Sequence, residues 1–512
     1  MEEPLLAADD IQGNIAPGFK LPFQCLIGMK GDKVTLLEVL ALLAPKITTM
    51  RRAAAYHIER VAKAKATGIF GIESFRLPAQ QQFCWINLAM GRDFLRRLNI
   101  GAPEAISPAF ATGLYDHSFD LGDSKDPSQE SFHDNWAMGN KESHPDLFLL
   151  LGSDDGDTVQ AEASALKAQF GALIHYSEFG NRLDNDTEHF GFRDGVSLPS
   201  LRGYTKEGTY LEPRKVKNIA GNSPEYASPG SILIWPGQFI FGYPKQDHTD
   251  YRSATTVGMT NDPDLVNGSL LVFRRLKQDV QQLYADTDAF SAVLRQDPTF
   301  ASYSGEKVRA KLVGRWKTGQ PLTRNPDDPT SPFDPAADNY FLFKVAAADL
   351  QLENGGLIPG AAGDFFGEKC PMSAHIRKVN PRDLPTDLGS EVDTLTFRPM
   401  RRGIPFGPKY DFDHPDNPQN KQERGLLFLA YVTDIQAQFE NLQEKWANTS
   451  DKPEEPKGFD MILGQNPAGG RWCQFNGAGQ PFQTMAKYII PTGGEYLFVP
   501  SLTLVHKIIA AK

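Results

Sequence analysis

The 512-residue chain is 40% hydrophobic and 23% charged, which allows a large buried core and a division into more than one structural unit. A formal net charge of -10 and a pI near 5.6 give no electrostatic basis for holding nucleic acid or an anionic membrane surface, so a small molecule is the expected partner. The opening MEEPLLAADDIQGNI lacks the basic and apolar regions of a secretory signal and has no twin arginines, so a cytoplasmic location is expected.

In chain order, the first strong apolar run, Leu36 to Ala44, is interrupted by Glu38 and is far shorter than the roughly 20 residues of a membrane span. Leu147 to Leu151 form a continuous apolar run suited to a buried strand, and Gly152 with the following Asp cluster should end it and cap a helix. Val159, Ala163, Leu166 and Phe170 then recur at helical spacing and should pack that helix on a sheet. The same pattern returns at Leu426 to Val432, with Asp434 as the cap and Ile435, Phe439, Leu442 and Trp446 as the apolar face. Either an internal duplication or generic strand-to-helix architecture explains the repeat. Between the two units, SPEYASPGSILIWPGQ, RNPDDPTSPFDPAADN and ENGGLIPGAAGDFFGE read as long surface excursions. Cysteines at 25, 84, 370 and 473 are scattered and read as buried reduced thiols.

Nucleotide chemistry is disfavoured, because no GxxxxGK[ST] occurs and no GxGxxG sits between a strand and a helix. The commonest zinc and serine hydrolase readings fall with the absence of HExxH and GxSxG. A metal site built on one histidine survives this filter, since haem needs a single strong protein ligand.

EHFGFRDGVSLP at 188–199 contains Gly191-Phe192-Arg193-Asp194-Gly195, a GxxDG motif. With it, in order, come DIQGNIAPGFK, PGQFIFGYP, NGSLLVFRRLKQDV, AHIRKVNPRD, MRRGIPFGP, GLLFLAY, GFDMILGQ and PTGGEYLFVPS. Over nearly its whole length the chain resembles the dye-decolourising peroxidases, and the long stretch between Asp194 and His375 resembles the larger, insertion-bearing branch of that family. The resemblance implies an α+β fold of two ferredoxin-like halves, antiparallel sheets with helices in a dimeric α+β barrel-like arrangement. It implies a unit at 1–205 carrying the GxxDG motif and a haem-binding unit with long insertions at 206–512.

It also implies a haem peroxidase that uses hydrogen peroxide to oxidise phenolic or aromatic dye-like substrates through a ferryl intermediate, with haem b as cofactor. The alternative is a haem-handling protein with incidental peroxidase turnover. His375 corresponds to the iron ligand, and Asp460 to the carboxylate that accepts its other ring N–H. Asp194 corresponds to the proton shuttle for peroxide, and Arg401 to the cation that stabilises charge on the departing oxygen. Arg402 is the nearer rival for that role and Arg398 the more distant one. Leu426 and Phe428 correspond to apolar residues over the haem, and Gly191, Phe192 and Gly195 to the loop beside it. Arg377 and Arg382 are both candidates for a haem propionate, with Arg377 the one counted among the cofactor-binding residues.

Overall fold

The computed structural model describes residues 1–67, 83–219, 221–386, 388–453, 458–466 and 470–511. Four strands of the first part of the chain, β1 (Phe23–Met29), β2 (Trp85–Met90), β3 (Leu147–Ser153) and β4 (Ile174–Asn181), pair antiparallel in the spatial order β2-β3-β1-β4. Later in the chain come β5 (Ser269–Gln278), the two-residue β6 (Met400–Arg401), β7 (Ile404–Phe406), β8 (Gly425–Val432) and β9 (Ile489–Val499). Leaving β6 aside, the second set pairs in the order β7-β8-β5-β9, again antiparallel. Both sets therefore follow one rule, second-third-first-fourth, which is the ferredoxin-like order.

Two short seams, Phe498 opposite Met90 and Phe406 opposite Gly180, join the sets into a nine-stranded sheet that closes on itself, with β6 added along β8. The first strand of each set leads into a helix with an aspartate cap, β1 into α1 (Lys33–Leu43, Asp32) and β5 into α2 (Val280–Leu294, Asp279). The two strand-to-helix units seen in the sequence are the third strands of the two sets. After β3, Asp155 caps the helix Gly156–Phe170, whose buried residues are Val159, Ala163, Leu166 and Phe170, as their spacing predicts.

After β8 the outcome differs. Asp434 caps by accepting the Ala437 amide, but the helix runs as π-type turns over Gln436–Glu440 and Leu442–Ala447. A π turn holds more residues than an α turn, so a stripe drawn at 3.6 residues per turn drifts around the axis. Ile435 and Phe439 accordingly pack with the sheet, whereas Leu442 and Trp446 form a separate cluster with Phe397.

The stretch 223–238 is not the surface excursion its prolines and glycines suggest. Tyr226–Ser228 and Ser231–Ile234 make a small antiparallel pair around Gly230, and the Ile-Leu-Ile-Trp run buries Ile234 and Trp235. The other two stretches, 324–339 and 353–368, lie largely at the surface. All four cysteines are free thiols; three are buried and Cys84 is half-buried. Among the described residues no helix is long and apolar enough to cross a membrane.

Candidate active site

His375 opens a short helix, His375–Lys378, preceded by an extended Ala374. Its Nδ1 lies 2.7 Å from Asp460 Oδ2, and the other oxygen of that carboxylate accepts the Ile462 and Leu463 amides, each at 2.9 Å. Burial would raise the Asp460 carboxyl, but the His375 ring and the two amides outweigh it and hold the group below its ordinary 3.8. An ionised Asp460 assigns the proton to Nδ1 and leaves Nε2 as the ring nitrogen with a lone pair to offer.

Asp194 sits in the turn between two glycines with left-handed backbone, Gly191 at φ 90° and Gly195 at φ 71°, a conformation that a side chain would strain. The Asp194 amide donates to Asp186 O at 2.8 Å, and its Oδ1 accepts the Gly195 amide at 2.6 Å and Arg401 Nη1 at 3.2 Å. This pair is partly open to solvent: the Arg401 and Asp194 side chains are 33% and 35% exposed, against 29% for His375 and 0% for Asp460.

Strand register places the remaining groups. Arg401 lies directly opposite Ala430, so it shares a sheet face with Ala430, Phe428 and Leu426, which alternate along β8. On β5 the partners of Phe428 and Leu426 are Arg274 and Leu276. The other face carries Met400, Leu427, Leu429 and Tyr431 and is core. Leu426 and Phe428 are half-buried, whereas Leu427 and Leu429 have no exposure. A cavity of about 50 Å³ on the Phe428 face is also lined by Leu276, Phe439 and Leu463, and Leu463 is one of the residues whose amide holds Asp460. Thus the segment that carries Asp460 reaches the sheet face on which Phe428 lies.

Not every anticipated residue is at this face. Arg377 is fully buried and spends its guanidinium on the carbonyls of Asp364, Phe365 and Cys370, above the Phe343 ring, so it is not available to a propionate. Arg382 is likewise turned onto Asn339 and Phe341. Arg402 points away from Asp194, donating to the carbonyls of Asn14 and Ile15. Arg398, by contrast, is buried and, among the described residues, donates to Ser197 O alone, at 3.2 Å. Burial pushes its guanidinium down to about 9, with the charges of Arg382 and Arg401 adding to the effect. No carboxylate pairs with it among the described residues. Phe192 packs with Phe190, Val280, Leu283 and Tyr488 in the core beneath the Asp194 turn.

An ancestral D-type dye decolorizing peroxidase of known structure is 26% identical and superposes with a TM-score of 0.74, covering 99% of this chain and 99% of that one. In sequence and fold the chain is similar to the dye-decolourising peroxidases. A dye-decolorizing peroxidase of Mycetinis scorodonius is 27% identical over 462 residues, spanning 84% of this chain and 78% of the relative. A dye-decolorizing peroxidase of Exidia glandulosa is 29% identical over 402 residues, spanning 74% of this chain and 68% of the relative. No family model matches the chain.

Proposed function

We propose that this chain is a haem peroxidase that consumes hydrogen peroxide and oxidises small aromatic substrates such as phenols and dyes, with His375 as the iron ligand and Asp194 and Arg401 as the peroxide-activating pair. The residues fit a haem. Leu426 and Phe428 leave an apolar strand face half open; among the described residues His375 presents an uncommitted Nε2 and Arg398 is a buried cation without a carboxylate, suited to an anionic propionate. Haem, when bound, supplies the iron at which peroxide is reduced and from which reductants are oxidised.

His375 holds the iron through Nε2, and Asp460 fixes the ring by accepting the Nδ1 proton, which makes the imidazole a stronger donor. Asp194 Oδ2, the oxygen not engaged by Arg401 or the Gly195 amide, takes the proton from the inner oxygen of peroxide and returns it to the outer one. Arg401 stabilises the negative charge that develops as the oxygens part. Leu426 and Phe428 keep bulk water from that face. The observation that carries this reading is the placement of Arg401, bonded to Asp194, on the same sheet face as Leu426 and Phe428, with Leu463 of the Asp460 segment beside Phe428.

The test is spectroscopic and kinetic. His375→Ala should lose haem or shift the Soret band, and an unchanged spectrum would remove His375 from the role of ligand. Asp194→Ala and Arg401→Leu should bind haem as the wild type does yet react slowly with peroxide. Wild-type rates in both would refute the assignment of the activating pair.

A further inference from the structure

Glu188 is a half-buried carboxyl that the chemistry above does not use, six residues before Asp194. Its Oε2 accepts the Phe190 amide at 2.8 Å and the Gln278 side-chain amide at 2.6 Å, and its Oε1 accepts the Phe192 amide at 2.9 Å. The backbone closes the same turn from the other side, with Glu188 N donating to Phe192 O and Gly191 N to Glu188 O, both at 2.9 Å. The side chain thus staples the turn that delivers Asp194.

The staple is fastened to a particular place. Gln278 is the last residue of β5, the strand that pairs with β8, and β8 in turn carries β6 with Arg401. The neighbouring His189 donates from Nε2 to Phe406 O of β7 at 2.8 Å, and Tyr284 of α2 donates to Phe190 O at 3.0 Å. A loop of the first strand set is therefore tied at three points to elements of the second set, the set that holds its partner Arg401.

Resting on the peroxidase reading, we propose that Glu188 is a positioning residue: through the Phe190 and Phe192 amides and Gln278 it sets where the Asp194 carboxylate stands relative to Arg401. Desolvation pushes the Glu188 carboxyl up to about 7, and the Asp194 charge adds to it. Its ionised form consequently opposes folding as pH rises from its ordinary 4.5 towards 7, so the group is not there for stability alone. What it provides is the orientation of two amides in the turn before the proton-transfer group, where a displacement of about 1 Å can cost on the order of 100-fold in rate.

The experiment uses the haem-loaded protein and separates the two half-reactions by stopped flow, with hydrogen exchange over 188–195 as a readout independent of activity. Glu188→Ala should slow the peroxide step about 10-fold or more, leave the rate of oxidation of an aromatic reductant unchanged, and speed exchange at the Phe190 and Phe192 amides. Glu188→Gln keeps an oxygen for one amide and should lose less. Should Glu188→Ala not fold, Gln278→Leu removes one anchor and should slow the same step by a smaller factor. An unchanged peroxide step in Glu188→Ala, or equal losses in both half-reactions, would overturn the inference. Asp194→Ala is the control: if it is slow where Glu188→Ala is not, only the positioning role is lost, and if neither is slow, the peroxidase reading of the pair goes with it.

Discussion

The two carboxylates of the site live in opposite surroundings. Asp460 is fully buried, bonded to the His375 ring and two backbone amides, and has no oxygen to spare. Asp194 is about one-third exposed and uses one oxygen for both the Gly195 amide and Arg401, leaving the other uncommitted. Both chemistries need an ionised carboxylate, but a group that must orient a ligand has to be locked, whereas a group that passes protons has to keep a lone pair within reach of a substrate. The difference in burial and saturation therefore predicts a difference in what each removal costs.

The largest effect is expected at Asp194. Its alanine variant should slow the peroxide step by roughly 10²–10⁴-fold with the Soret band intact, measured by stopped-flow absorbance. Arg401→Leu should follow, with a loss on the order of 10²–10³ in the same step, because one preorganised charge donor is removed. Asp460→Asn should act differently, weakening haem retention by about 10–100-fold in a competition assay with apomyoglobin as acceptor and leaving the peroxide step of the loaded fraction less affected.

Arg402→Ala sharpens the contrast from the outside. It strands the carbonyls of Asn14 and Ile15, so it should destabilise the fold by about 1–3 kcal/mol in urea titrations while the peroxide rate stays at the wild-type value. The smallest effect is a pH limit. Folding holds Asp460 below its ordinary 3.8, so the stabilisation from its pairing is complete above that value and is lost as pH falls beneath it. Haem retention should accordingly persist through mildly acidic solution and fail only on stronger acidification, and Asp460→Asn should remove that acid limb.

The strand-to-helix repeat was legible because burial on one face imposes a period that survives in the residues themselves. Leu147–Leu151 and Leu426–Val432 lie in the third strands of two equally ordered sets, and their continuous apolar runs alone mark both as strands. Which face of β8 serves the site was not legible. A continuous apolar run hides its alternation, and only the pairing of Arg401 with Ala430 separates Leu426 and Phe428 from Leu427 and Leu429. His375 and Asp460 are 85 residues apart, a separation that no local pattern bridges, so their pairing was foreseen through family resemblance alone.

The arginines show the limit most clearly. Arg377, Arg382, Arg398, Arg401 and Arg402 carry the same charge in neighbouring motifs, yet three are held chiefly by backbone or amide oxygens, Arg401 is bonded to the Asp194 carboxylate, and Arg398 has no carboxylate partner among the described residues. A guanidinium's role depends on which acceptors the fold brings to it. Glu188 was invisible for the same reason, since its acceptor oxygens matter only once the turn at 190–192 has folded around them.

The most direct measurement is a crystal structure of the haem-loaded protein. The expected result is iron bonded to Nε2 of His375, with Asp460 still on Nδ1, and with Arg401 and the uncommitted oxygen of Asp194 over the opposite face of the porphyrin. Iron held by any other side chain, or a porphyrin with Asp194 and Arg401 outside its open face, would contradict the division of labour between the two carboxylates.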